Sequence, residues 1–144
     1  MTDCIFCKII NGDIPSYTVY EDDVVKAFLD ISQSTPGHTL VVPKKHIKDM
    51  FEYDEDLAAA VFSRIPKIAR AIKKSNPAIK GMNIVNNNGE VAYQSVFHSH
   101  IHLIPRYTAE DGFKMIFTDN GDKYDEAKYK EIQEAIIKQL EDEQ

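Results

Sequence analysis

Gln94 to Arg106 reads Q-S-V-F-H-S-H-I-H-L-I-P-R, and three of the chain's five histidines, His98, His100 and His102, stand in it at every second position. Val96, Ile101 and Leu103 give the run strand character. Successive strand side chains point to opposite faces. The pattern therefore predicts three imidazoles on one side and Phe97, Ser99, Ile101 and Leu103 on the other, toward a core. Histidine fills an apolar face badly, because each ring carries a donor and an acceptor that need partners when buried. A solvated strand face carries Lys, Glu or Thr more readily than three histidines in register. A three-histidine zinc centre is opposed by spacing: His98 and His102 are about 13 Å apart along a straight strand, against zinc–nitrogen bonds of about 2 Å. The remaining reading divides the labour, with one ring as nucleophile and its neighbours orienting it or serving another site.

Upstream, Gly81 to Asn86 reads as a strand running into the turn-forming Asn86-Asn87-Asn88-Gly89. His38 to Pro43 is nearly continuous in apolar residues and suits the centre of a sheet. Ser16 to Glu21 and Val24 to Asp30 read as antiparallel strands joined at Asp22-Asp23. Leu57, Val61, Ile65, Ile68 and Ile72 make one stripe of a helix from Asp54, its N-cap, to Lys74. Pro66 kinks or splits this helix, and Ser75-Asn76-Pro77 ends it. Cys4 to Ile10 reads as a short helix closed by Asn11-Gly12. Downstream, Phe113 to Phe117 is expected to be a short strand, and Asp125 to Leu140 a helix with Tyr129, Ile132, Ile136 and Leu140 on one face.

A length of 144 residues with 43% hydrophobic content suits one domain. A formal charge of −6 with no Lys/Arg block longer than two argues against broad nucleic-acid binding. The chain has neither a Walker A sequence nor a G-x-G-x-x-G, so a phosphate must be attracted by other local groups. The N-terminus shows no basic segment followed by an apolar run, and no stretch is long enough to span a bilayer, which points to the cytoplasm and away from a membrane partner. Cys4 and Cys7 are the only cysteines. They admit a redox pair, a short disulfide or half of a metal site; metal is the better reading, since no βαβ context precedes them.

H-S-H-I-H-L-I, with the preceding Q-S-V-F, resembles the signature of the histidine triad (HIT) nucleotide hydrolases and transferases. The opening C-I-F-C-K-I-I, then F-L-D-I-S, G-H-T-L-V-V-P-K-K-H-I and N-N-N-G extend the likeness over most of the chain. It looks most like the Hint-type branch in its bacterial form with an N-terminal Cys-x-x-Cys. The resemblance implies an α+β, HIT-like fold: a mainly antiparallel five-stranded sheet with a long kinked helix and a C-terminal helix. It also implies one HIT domain over 1–144, with a catalytic core of about 4–107 and an extension over 108–144, and a homodimer.

By the same likeness, structural zinc, one per chain, is expected on Cys4, Cys7, His46 and His98. His100 is the expected nucleophile, attacking the α-phosphorus of a purine nucleotide to give a nucleotidyl-histidine that water hydrolyses. His102 and Ser95 are expected to bind phosphoryl oxygens or assist the leaving group, and Gln94 to orient them. Asp30 is expected on the ribose hydroxyls, with Phe28 and Ile31 of the same motif, and Ile5 and Phe6 against the base. Asn87 is expected at phosphate and ribose, Asn86 being its alternative, and His38 in support. The implied activity is hydrolysis of adenosine 5′-phosphoramidates. The alternatives are a diadenosine polyphosphate hydrolase, or a purine-nucleotide-binding regulatory protein with incidental catalysis.

Overall fold

The computed structural model describes residues 3–143. It divides after Lys114 into two compact units. In the first, a five-stranded sheet is built from β1 (Thr18–Glu21), β2 (Val25–Leu29), β3 (Thr39–Pro43), β4 (Gly81–Asn86) and β5 (Ile101–Arg106). Their spatial order is β1-β2-β3-β5-β4, with every neighbouring pair antiparallel. β3 takes the centre expected of it, and all five of its residues are buried. Because side chains alternate, its Val41 joins Val25, Ala27, Ile101 and Leu103 on one face, while Leu40 and Val42 join Phe28 on the other.

The first face is covered by α2 (Glu55–Phe62) and α3 (Ile65–Ser75), which contribute Val61, Ile65, Ile68 and Ile72 to the core. Pro66 yields two helices rather than one kinked rod. Standing in the first turn of α3, it lacks only an N–H that would have no helical partner there. Asp54 caps α2 by accepting the Leu57 N–H at 2.8 Å. The second face is covered by α1 (Ile5–Ile10), whose Phe6 and Ile9 pack on Phe28, Leu40 and Val42. The Cys4 thiol caps this helix at the Cys7 N–H, and Gly12 at φ 85° turns the chain away after it. The two faces thus differ in kind: α2 and α3 seal a core, and the short α1 leaves part of the sheet open beside it.

Two expectations are corrected. Phe113 to Phe117 forms no strand: its apolar positions do not alternate, Phe113 lies under the Arg106 guanidinium at 5.5 Å, and Ile116 and Phe117 are exposed. Phe97, expected on the core side, is also exposed. In the second unit, α4 (Glu126–Asp142) is capped by Asp125, and its Tyr129, Ile132, Ile136 and Leu140 are all exposed. Among the described residues no helix is long and apolar enough to cross a membrane.

Candidate functional site

β5 starts only at Ile101, so of the three alternating histidines His102 alone belongs to a paired strand. His98 and His100 precede it in chain that bends at 96–98. The carbonyls that a ladder would use are captured by side chains. His98 O accepts from His100 Nδ1 at 2.9 Å, and His100 O accepts from the Asn86 amide at 3.0 Å. The Ser99 N–H goes to Ile47 O at 2.6 Å. This detour separates the first ring from the other two and gives each a different neighbourhood.

Hydrogen-bond partners fix the tautomers. A carbonyl only accepts, so His100 carries its hydrogen on Nδ1 and its Nε2 lone pair is bare. The Ser34 N–H only donates, and it meets His38 Nδ1 at 3.2 Å, which puts the His38 hydrogen on Nε2. That nitrogen stands 2.9 Å from His102 Nδ1, so His102 accepts there and carries its own hydrogen on Nε2. Asp30 approaches His38 Nε2 at 3.6 Å. With His38 pushed below the usual histidine range by burial against the pull of Asp30, this is a contact with a neutral ring and not an ion pair. Burial also pushes Asp30 upward, but the Ser32 hydroxyl and N–H, both bonded to its Oδ1, outweigh it and keep the group a carboxylate.

His100 and His102 open on a cleft of about 620 Å³ beside α1, lined also by Ile5, Phe6, Phe28, Asp30, Ile31 and Ser95. Phe6 meets the His100 ring edge-on, with centroids 5.0 Å apart. Ile14, Tyr17, Leu40 and Val96 line the same cleft. None of them is assigned to the site from the sequence: Ile14 and Tyr17 lie between the motifs, and Leu40 and Val96 lie inside them but read only as strand positions. His38 is buried behind His102 and does not line the cleft. Gln94 is buried, its amide donating to Lys48 O and Val96 O and its carbonyl accepting from the Gly89 N–H. It therefore shapes the loop that presents Ser95. Asn86 and Asn88 bond to each other, and Asn88 also accepts the Met50 N–H, so of the three asparagines Asn87 stands outside this network.

On the far side of the detour, the ligand atoms of Cys4, Cys7, His46 and His98 lie within 4.8 Å of one another. Sulfur–nitrogen separations of 3.4 Å (Cys4 to His98), 3.6 Å (Cys7 to His98) and 3.2 Å (Cys7 to His46) match the edge of about 3.5 Å of a tetrahedral zinc with two thiolates and two imidazoles. His98 Nε2–H donates to Pro43 O at 2.8 Å, so its Nδ1 lone pair is the one turned to the thiols. This donor set can hold a metal. Asp30, His38 and His102 also converge within 4.8 Å. There, however, the Ser34 N–H keeps a hydrogen on His38 Nε2, where a metal would have to bind.

The HIT domain family matches residues 11–109 of the sequence. The chain belongs to the HIT family. A crystal structure of a HIT family member from Bacillus subtilis is similar to it with a TM-score of 0.91 and 53% identity, over 94% of this chain and 96% of that one. An adenosine 5′-monophosphoramidase of Schizosaccharomyces pombe is 40% identical over 76% of this chain and 78% of its own length. A zinc-bound histidine triad protein from Mycobacterium smegmatis is similar with a TM-score of 0.73 and 36% identity, over 84% of this chain and 87% of that one.

In this HIT chain the triad is uncharged at neutral pH. Burial pushes His100 down against the His98 carbonyl and Asp30, which both favour the charged ring. Burial, then His100 and His38, push His102 down to about 4, with Asp30 opposing. An unfolded chain protonates that ring from about pH 6.5 downward, whereas the folded one holds off until about 4. Protons therefore bind the unfolded state preferentially across this window, and stability should fall as pH drops through it. Urea midpoints at pH 7, 6 and 5 should decrease in order, and His102→Gln should flatten the slope; equal slopes in the two proteins would contradict the assignment.

Proposed function

We propose that the protein is a nucleotide phosphoramidase, hydrolysing adenosine 5′-phosphoramidates at the α-phosphorus through a covalent nucleotidyl-histidine on His100. One observation carries the reading: His100 Nδ1 is tied to the His98 carbonyl, so an uncharged Nε2 lone pair is presented at the cleft. That lone pair attacks phosphorus, the bond from phosphorus to the amine nitrogen breaks, and the Nδ1–H, held by His98 O, carries the positive charge of the phosphorylated ring. Water then attacks phosphorus, losing one proton to solvent at the open side of the cleft, the ring leaves as neutral imidazole, and the nucleoside monophosphate departs.

His102 Nε2–H and the Ser95 hydroxyl are the donors for phosphoryl oxygens, whose charge grows in the transition state. His102 in this tautomer cannot also supply the amine's proton without becoming an imidazolate. The proton therefore arrives on the substrate nitrogen or from water at the open side of the cleft. Asp30 accepts from the ribose hydroxyls through Oδ2, since Oδ1 is engaged by Ser32. Ile5, Phe6, Phe28 and Ile31 take the base, and Asn87, which does not line the cleft, is assigned to the phosphate edge by the family resemblance alone. Cys4, Cys7, His46 and His98 would hold zinc, which when bound supplies a structural cross-link between α1 and the triad segment. The likeness to the monophosphoramidase supports adenosine as the nucleoside.

Mixing with radiolabelled adenosine phosphoramidate and quenching in base within one turnover should recover label on the protein at His100. Its absence in a burst that releases amine would refute the covalent route. The ribose assignment has its own test. A 2′,3′-dideoxy substrate should lose about tenfold in kcat/KM with the native protein, as expected for one charge-assisted hydrogen bond. The Asp30→Asn variant should show a much smaller difference between the two substrates. Equal discrimination in both proteins would remove Asp30 from the ribose.

A further inference from the structure

Residues 32–37 contain no helix or strand, yet they hold the N–H at the head of the His38–His102 chain. Inside this loop Gln33, at φ 43°, donates through its amide to Asp30 O and His38 O, each at 2.7 Å, and accepts from the Gly37 N–H. From outside, four contacts come from one segment, 105–112. Thr35, almost fully buried, donates to Pro105 O at 2.6 Å. The Tyr107 hydroxyl donates to Pro36 O. Gly37, at φ 98°, lies so close to Pro105 that a Cβ would stand 3.1 Å from its ring. Gly112 lies so close to Ser34 that a Cβ would overlap the Ser34 carbonyl oxygen. The segment is itself folded around Asp111, which accepts from the Arg106 side chain and from the Tyr107 N–H.

None of Thr35, Tyr107 and Gly112 lines the nucleotide cleft. Their contacts converge on the peptide groups of Ser34 to Gly37, and a backbone N–H has no second tautomer to offer. Release of that N–H would leave His38 free to carry its hydrogen on either nitrogen. His102 would then be free to turn its lone pair, rather than its N–H, toward a phosphoryl oxygen, which repels it. We propose that Thr35, Tyr107 and Gly112 are positioning residues, which hold the Ser34 N–H on His38 Nδ1 and so select the tautomer that aims His102 Nε2–H at the phosphate. The catalytic consequence rests on the phosphoramidase reading; the tautomer does not.

The test uses the full chain with ¹⁵N-labelled histidine, the ring-nitrogen spectra assigned by substitution, and adenosine phosphoramidate kinetics on the same samples. In the native protein His38 and His102 should both carry hydrogen on Nε2. Thr35→Val and Gly112→Ala should give His102 as a mixture of tautomers, with kcat down about tenfold and KM within about twofold. Thr35→Ser, which keeps the hydroxyl, should restore both. Tyr107→Phe removes one hydrogen bond without adding volume, and decides the matter where Gly112→Ala does not fold. Native tautomers in all the variants that fold, or a fall in kcat with the spectra unmoved, would overturn the proposal. Shifted spectra in a protein without phosphoramidase activity would sustain the clamp and remove the functional reading instead.

Discussion

Replacing His100 by alanine should lower adenosine phosphoramidate turnover by about 10⁴-fold or more, the scale seen when a nucleophile is removed from a preorganised site. The affinity for AMP should change only a few-fold. The two effects separate because the groups that bind differ from the group that reacts. Asp30 and the apolar wall of the cleft, Ile5, Phe28 and Ile31, contact His100 through no hydrogen bond, whereas Nε2 is the lone pair that must form a bond to phosphorus. The ring is buried and braced by Phe6, so truncation also leaves a void and an unpartnered His98 carbonyl. His100→Gly with added imidazole distinguishes chemistry from damage. A free imidazole that enters the void can attack phosphorus in place of the missing ring, and turnover should then rise with imidazole concentration. Turnover by His100→Ala at the native rate would be falsifying for covalent catalysis, since no other bare imidazole nitrogen faces the cleft among the described residues: His102 accepts His38's hydrogen on Nδ1.

Much of this arrangement is legible from local chemistry. Gly81 to Asn86 is a strand with the boundaries its flanking turn formers suggest, and Asp54, Pro66 and Asn76 punctuate the helical stripe as their backbone preferences require. The triad stretch misleads because alternation reports an extended chain and not a paired one. The Asn86 amide and the His100 ring take the carbonyls that would have continued the ladder, and Asn86 is far from them in sequence. Phe97 falls on the wrong side for the same reason. The motif residues of the cleft are readable from their resemblance to a family, since a lone Asp after Phe-Leu reads equally as a turn former, and Asp30 does cap Ser32 here. The Ser34 N–H has no side-chain signature at all. Its role follows only from the direction of a backbone group, which residue types do not encode.

The second large effect concerns the cysteine–histidine cluster. Protein produced without a histidine tag should contain zinc at about one per chain by mass spectrometry, and a strong chelator should lower stability by about 3 kcal/mol, on the order of 10 °C in Tm. The loss is expected to be smaller than for a zinc finger because the sheet and α2–α3 core, Val41 and Leu103 included, contains none of the four ligands. What depends on it is α1. A six-residue helix is too short to persist on propensity, and it is joined to the rest by Phe6 and Ile9 on one side and by Cys4 and Cys7 on the other. Its release should reach the reaction twice. Ile5 and Phe6 leave the wall of the cleft, raising KM. His98, then anchored only through Nε2 to Pro43 O, loosens its own carbonyl, which fixes the His100 tautomer, lowering kcat. Cys4→Ser with Cys7→Ser should reproduce both changes, and added zinc should rescue the chelated native protein but not the double variant. Metal-free protein with unchanged Tm and kinetics would show instead two reduced thiols packed beside a histidine, with α1 held by its apolar contacts alone.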